Sequence, residues 1–242
     1  MTNIFAIAWK ESKIYFSTPM AYVVGAMFLI LTGIFFVDDI TNFDMSTRFP
    51  EASIRGVISS ASFFIVFLAP LLTMRLLAEE QKMGTLELLL TAPVRDWEVV
   101  IGKYTASFLA LVAAIVPSVY YVLMLYWFGQ PDTGPILSSY LGLFLHGAAA
   151  LSIGLLASSL SGNQIISAVI GIAVLLVFSL LEQVADLASG VTQEVLSGIS
   201  MASHFDDFSK GVVDTSDIVY YLSLTAVFLF LTVRSLETRR WR

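Results

Sequence analysis

Hydrophobic positions gather into six long runs separated by short polar stretches. Each run approaches the roughly 20 residues that a helix needs to cross a hydrocarbon core of about 30 Å. The predicted spans cover residues 20–37, 57–76, 103–128, 136–158, 165–182 and 217–234. The pattern therefore predicts an all-α polytopic membrane protein with six transmembrane helices. With no linker and no internal repeat, residues 1–242 are expected to form a single domain.

Two amphipathic patterns lie outside these runs. Residues 4–16 predict an N-terminal amphipathic helix at the membrane interface, serving either as a simple anchor or in a mechanical role. One stripe holds Ala6, Lys10, Lys13 and Ser17, and a neighbouring stripe holds Phe5, Trp9, Ser12 and Phe16, with Ile4, Ala8 and Tyr15 alongside. Residues 182–216 predict a re-entrant or interfacial pair of short outer helices before the last span, interrupted by Gly190 and Gly198.

Composition supports the membrane assignment. Hydrophobic residues make up 57% of the chain and charged residues only 13%, and the mean hydropathy is +0.82. A soluble domain would carry about a quarter charged residues. Cysteine is absent, which excludes disulfides, thiolate catalysis and cysteine-ligated metals.

The basic residues predict the orientation of the chain. With the N-terminus inside, ten of the thirteen lysines and arginines fall in cytoplasmic segments. The ten are Lys10, Lys13, Arg75, Lys82, Arg95, Lys103, Arg234, Arg239, Arg240 and Arg242. We therefore expect a multi-pass protein with both termini in the cytoplasm.

A charged segment followed by leucines lies between the second and third runs. Gly84 is expected to end the preceding helix, and Thr85 is a candidate N-cap for a short helix that ends before Pro93. Glu87 would lie in the first turn, where it favours the helix dipole. The leucine-rich face predicts contact either with a soluble partner or with the lipid surface.

A stripe of small residues runs along the fourth span at four-residue spacing. It consists of Ala150, Gly154, Ser158 and Gly162, headed by His146. Small residues let helix backbones approach closely, so we expect a packing seam within one subunit or between two. His146, placed near the outer end, is interpreted either as a hydrogen-bonded packing residue or as a substrate contact.

The chain lacks the residues that several kinds of membrane chemistry need. The span centres lack the buried charge that a proton-coupled transporter would require. Neither a phosphate-binding loop nor a His-Glu-x-x-His run occurs. The chain itself is therefore not expected to hydrolyse ATP, and no metal, organic cofactor or nucleic acid is expected. His204 with Asp206 or Asp207 is a candidate for lipid chemistry, although capping or loop ordering is the alternative.

Two motifs resemble the ABC-2 family of ATP-binding-cassette permeases. The first comprises residues 70–75, Glu79-Glu80 and 84–93, closing with Gly102-Lys103. The second comprises Phe205-Asp206-Asp207-Phe208-Ser209-Lys210-Gly211-Val212-Val213-Asp214, Tyr220 to Leu224 and the tail 236–241. Taken together the motifs look most like the gliding-motility type of permease.

The resemblance implies a membrane subunit driven by another protein. Thr85 to Ala92 would be a cytoplasmic coupling helix docked on a cytoplasmic ATP-binding-cassette ATPase, with a second permease subunit, identical or homologous, completing the complex. The implied ATPase-coupling residues are Glu79, Glu80, Gly84, Thr85, Leu86, Glu87, Leu88 and Leu89. The expected function is an exporter permease in a bacterial plasma (inner) membrane. A non-transporting scaffold of an ATPase-driven envelope or gliding machine is the alternative.

Overall fold

The chain folds into an assembly of helices. The computed structural model describes residues 2–41, 55–85, 94–128, 131–187 and 189–240. The helices are α1 Thr2–Ser17, α2 Pro19–Thr41, α3 Arg55–Lys82, α4 Asp96–Ile115, α5 Val119–Phe128, α6 Thr133–Leu160, α7 Gln164–Ala185, α8 Val191–Ile199, α9 Met201–Ser209 and α10 Thr215–Arg240. Within these ranges there is no β-strand, so the all-α prediction is confirmed.

The six predicted spans are confirmed as six apolar helical segments. Each is long and apolar enough to cross a membrane. The third segment contains α4 and α5, joined by the 3-10 turn Val116–Ser118 around Pro117. Because proline lacks an N–H and its ring crowds the preceding turn, the α-helix of this span is interrupted at that residue.

Helices α3 and α6 form the centre of the bundle. α6 is the most buried span and α3 the next, whereas α2, α7 and α10 are largely exposed. The exposed spans carry large apolar side chains on their outer faces, including Ile30, Val169 and Phe230. In a membrane these faces suit contact with acyl chains, because acyl chains are as apolar as the side chains and nothing drives the side chains away from them.

Small residues bring α6 against its neighbours. A Cβ atom added to Gly154 would lie 3.3 Å from the Cα atom of Pro70 on α3, and one added to Gly171 of α7 would lie 3.0 Å from Cβ of the same proline. The backbones of α3, α6 and α7 therefore approach more closely than larger side chains would permit.

Two short helices lie between α7 and α10, as the sequence predicts. In α9, Met201, Phe205 and Phe208 are buried, and the hydroxyls of Ser138 and Ser139 on α6 donate to the carbonyl of Phe208 at 2.8 and 3.2 Å. α8 has no buried residue. Gly190, with a φ of 70°, precedes α8 as expected, but Gly198 lies inside α8 and does not interrupt it.

The buried side of the N-terminal helix α1 combines polar and apolar residues. Glu11 and Ser12 are buried with Ala8 and Tyr15, although the sequence groups Ser12 with the aromatic stripe. The other members of that stripe are exposed: Phe5, Trp9 and Phe16. The pattern of charged and aromatic positions predicts the helix but not its buried side, because that side is chosen by contacts with α3 and α4.

Candidate functional site

The predicted coupling residues begin on α3, which extends past its predicted span as far as Lys82. Glu79 on this extension is exposed, whereas Glu80 is half-buried. Both carboxylates lie in the last turn of α3, where the helix dipole is negative and acidic side chains are disfavoured. A nearby cation is therefore needed to stabilise the half-buried carboxylate.

A glycine turn ends α3. Gly84 has a φ of 68°, a conformation that side chains other than glycine rarely adopt. The N–H of Met83 donates to the carbonyl of Glu79 at 2.9 Å, and the hydroxyl of Thr85 donates to the carbonyl of Glu80 at 3.4 Å. The leucines and glutamate of the predicted coupling helix, at positions 86–89, lie outside the described residues, as does the rest of that helix to position 93.

A hydroxyl of α6 is inserted into the backbone of α3 just before this turn. The Ser158 hydroxyl accepts from the N–H groups of Leu77 and Ala78, both at 3.1 Å, and donates to the carbonyl of Met74 at 3.0 Å. It therefore bridges Met74 and Ala78, two groups that a regular helix joins directly. This contact ties the C-terminal end of α3 to α6.

The remaining members of the small-residue stripe lie along the same pair of helices. Ala150 is fully buried, and Gly154 faces Pro70 and Thr73. A Cβ at Gly162 would lie 3.7 Å from the side chain of Gln81. Gln81 in turn donates to the carbonyl of Ser159 at 2.9 Å, so the stripe contacts α3 of the same chain as far as its last turn.

Lys103 forms a buried ion triad that sequence reasoning missed. Its Nζ atom lies 2.7 Å from Oε1 of Glu80 and 2.9 Å from Oε1 of Glu11, and only 2% of its side chain is exposed. The triad joins α1, α3 and α4. The sequence indicates Lys103 only as a basic residue of the cytoplasmic side and as the last residue of the first family motif. The available signal was its place among apolar residues such as Val100 and Ala106, where a lone ammonium is unstable.

Helix α1 approaches α4 most closely beside this lysine. A Cβ at Gly102 would lie 2.8 Å from Cγ2 of Ile7 and 3.2 Å from the carbonyl of Ile4. At the start of α4, Glu98 accepts from the N–H of Arg95 at 3.0 Å and from the side chain of Asn3 at 3.3 Å. Glycine at position 102 thus lets α1 lie against α4.

The far end of α1 is bonded to α3. The hydroxyl of Tyr15 donates to the carbonyl of Leu72 at 2.6 Å, and the guanidinium of Arg75 lies 4.5 Å from the centre of the tyrosine ring. Burial raises the pKa of the Tyr15 hydroxyl, so it remains protonated and able to donate. α1 is therefore held at both ends by polar contacts with α3 and α4.

The two histidines that the sequence marks as candidate functional residues lie in different surroundings from those expected. His204 pairs with Asp217 at 2.6 Å and stacks on Tyr220, rather than pairing with Asp206 or Asp207, which lie next to Lys210. His146 lies in the middle of α6 rather than near its outer end, buried against Phe205 and Tyr221. The partner of His204 comes from another helix, which spacing along the chain does not reveal, whereas His146 is central because it lies halfway along Thr133–Leu160.

Among the described side chains, no group of three or more histidines and carboxylates is placed to hold a metal ion. The polar contacts around the last turns of α3 instead join helix to helix. Helices α4 and α6 are bonded directly to these turns through Lys103 and Ser158, and α1 is bonded to Lys103 through Glu11.

Comparison with known proteins identifies the family. Residues 5–241 match the family model described as "ABC-2 family transporter protein". Two curated relatives are both named "Probable multidrug ABC transporter permease YbhR", one from Escherichia coli (strain K12) and one from Escherichia coli O157:H7. Each is 27% identical over 144 residues, covering 56% of this chain and 37% of the relative's length. The chain thus spans little more than a third of these relatives. With nearly its whole length matched, it belongs to the ABC-2 family of transporter proteins, as a membrane-embedded, multi-pass protein.

Proposed function

We propose that this chain is the permease subunit of an ATP-driven exporter whose ATPase is a separate cytoplasmic chain. The single observation that carries the proposal is the extension of α3 to Lys82, followed by the Gly84 turn. This extension carries Glu79 and Glu80 beyond the predicted span and leads directly into the leucine-rich segment 86–93. Membership of the ABC-2 family supports an ATPase partner.

The proposed mechanism couples two states of the membrane domain to ATP binding. The segment from Thr85 to Ala92 docks on the ATPase and moves with it when ATP binds. Displacement passes into the last turn of α3 and then, through the Ser158 hydroxyl, into α6 at the centre of the bundle. ATP binding can drive the change only if the docked segment has different free energies in the two states.

We further propose a complex of two permease subunits and two ATPase subunits in a bacterial inner membrane. Both termini lie in the cytoplasm, because the basic residues concentrate on that side. The second permease is an identical or homologous chain. Within the family, residues 205–214 favour the gliding-motility type, on the resemblance of that motif alone.

The substrate class we favour is amphipathic or lipid-like. The spans lack charge at their centres, so a small ion would find no counter-charge along the path. The name of the two curated relatives refers to multidrug transport, which concerns those proteins and agrees with an apolar cargo.

Affinity purification followed by mass spectrometry tests the proposal. The native chain and a Leu86→Asp/Leu89→Asp variant are extracted gently from the native membrane. We expect an ATP-binding-cassette ATPase to accompany the native chain and to be lost from the variant, since aspartates would be buried unpaired in an apolar groove. The same experiment identifies any second permease.

A matched control carries the same chemical change on the opposite side of the protein. Leu187 and Val191 are both exposed beside α8, so Leu187→Asp/Val191→Asp should retain the ATPase. Absence of an ATPase from the native chain contradicts the proposed function. Equal loss of the ATPase from both variants would mean that the added aspartates disturb the whole protein, and it contradicts the coupling role of the leucines.

A further inference from the structure

We propose that Lys103 is a positioning residue for coupling, which makes α1 move together with the cytoplasmic end of α3. This inference rests on the proposed function, and it assigns a role to Lys103, which is not among the implied ATPase-coupling residues. It also identifies α1 as a moving part of the machine rather than a passive membrane anchor.

Burial makes the contacts of Lys103 obligatory. An ammonium group that is withdrawn from water is stable only when it is paired and hydrogen-bonded. Nζ of Lys103 has two carboxylate partners, Glu11 and Glu80, at 2.9 and 2.7 Å. Because 2% of the side chain is exposed, solvent cannot replace either partner without a change in the packing of the three helices.

The charge balance makes the distance between α1 and α3 depend on Lys103. Glu11 and Glu80 share one cation, so the triad has a net negative charge. If the ammonium moved away, the two carboxylates would repel each other at low dielectric. The lysine thereby holds together two helices that would otherwise be driven apart.

The triad lies where movement would enter the membrane domain. Glu80 is in the last turn of α3, and its own backbone carbonyl accepts the hydroxyl of Thr85, which begins the predicted coupling helix. On the other side, Gly102 lets α1 lie in contact with α4 beside the lysine. Residue 85 is therefore only about one turn of helix from Glu80, which binds the shared cation, and a displacement of residue 85 would reach the triad directly.

This geometry gives α1 a defined part in the cycle. Phe5 and Trp9 on its outer face are exposed and suited to the membrane interface. When the end of α3 moves, Lys103 and Glu11 carry α1 with it. A movement that starts on the ATPase would then reach the lipid-facing surface of the protein.

Distance measurements between spin labels test the inference. The chain contains no cysteine, so Lys13→Cys on α1 and Met83→Cys at the end of α3 provide two unique labelling positions, both exposed. The labelled full chain is reconstituted in lipid with the ATPase recovered by purification. Pulsed electron paramagnetic resonance then gives the distance distribution without nucleotide and with trapped ATP.

We expect one narrow distance in both states when the triad is intact, because α1 and α3 move together. Lys103→Met should broaden the distribution and make it change on ATP trapping. Lys103→Arg should restore the narrow distance. The same Lys103→Met complex should show at least a fivefold lower kcat for permease-stimulated ATP hydrolysis with unchanged KM for ATP, since the nucleotide site is on the partner.

A variant in which the triad carries no charge distinguishes an effect on coupling from an effect on folding. Lys103→Met/Glu11→Gln/Glu80→Gln removes all three charges, and therefore also the repulsion that Lys103→Met alone would leave. A folded neutral triad with a broad, ATP-dependent distance supports the inference. Full ATPase stimulation with a narrow distance in the neutral triad overturns it and leaves the triad a purely structural contact. Failure of the native chain to stimulate its ATPase overturns the proposed function instead, so the two failures are distinguishable.

Discussion

At the scale of single residues, the end of α3 depends on backbone conformation as much as on charge. Gly84 adopts a φ of 68°, and among the described residues no heavy atom lies within 4 Å of the place where a Cβ would stand. The backbone conformation favours glycine here, and it sets the direction in which the chain leaves α3.

Gly84→Val should weaken coupling. A β-branched residue in this conformation costs about 1–2 kcal/mol, which favours a different turn and misdirects the segment that follows. We expect a several-fold loss of permease-stimulated ATP hydrolysis, measured with the reconstituted complex. The temperature at which the bundle unfolds should change little, because the residue is exposed and packs against none of the described residues.

Gly190→Val is the matched control for this change. Gly190 has a φ of 70° and equally open surroundings, but it precedes α8 on the proposed outer side. The backbone strain is the same, while the position relative to the ATPase is opposite. Coupled hydrolysis should survive in this variant. An equal loss in both variants would show that strain anywhere impairs the protein.

At the scale of elements, the contact between α3 and α6 organises the bundle. Ser158 bridges the backbone of α3 between Met74 and Ala78, one turn from Pro70, whose ring already removes a helical hydrogen bond. Two interruptions so close together make this part of α3 a natural place for bending. This part of α3 lies just before Glu79 and Glu80, and therefore between the predicted span and the proposed coupling segment.

Gly154→Ala should destabilise this contact. The added methyl would meet the side chain of Thr73 and lie 3.3 Å from the Cα atom of Pro70, so both helices would have to separate. Overpacking of this kind costs about 1–3 kcal/mol. We expect a lower unfolding temperature in lipid nanodiscs, measured by intrinsic fluorescence.

Gly198→Ala tests whether the loss of stability in Gly154→Ala comes from the contact between α3 and α6. Gly198 lies inside α8, and an added Cβ there has no neighbour within 4 Å. Alanine in a helix is favoured over glycine by about 0.5–1 kcal/mol, so this variant should be as stable as the parent or slightly more so. If Gly154→Ala behaved in the same way, close approach of α3 and α6 would not be important for stability.

At the scale of the whole molecule, the arrangement is a central pair of helices with lipid-facing spans around it. α3 and α6 are buried, and the exposed spans α2, α7 and α10 present apolar faces. Polar networks lie towards both ends of the bundle: the Lys103 triad near one end, and His204 with Asp217 near the other. The two ends are therefore suited to different tasks, and the orientation in the membrane decides which end meets the ATPase.

Single cysteines should report this orientation, because the parent chain has none to interfere. Lys210→Cys replaces an exposed residue just before α10, and Glu237→Cys replaces a partly exposed residue near the other end of α10. A membrane-impermeant maleimide applied to intact cells or spheroplasts should label position 210 at once and position 237 only after permeabilisation. The reverse pattern would contradict the cytoplasmic location of the termini, and with it the proposed docking of the segment after Gly84.

The sequence by itself determined the spans, the interruption at Pro117 and the glycine turn at position 84, because each depends on local hydropathy or local backbone preference. It also indicated two short outer helices from their apolar spacing. Only the tertiary structure decided that Ser158 enters the backbone of α3, that His204 pairs with Asp217, and that Lys103 joins Glu11 to Glu80. These partners are separated by 13 to 92 positions along the chain. Which of them meet is set by the packing of the helices, and periodicity within one segment carries no information about it.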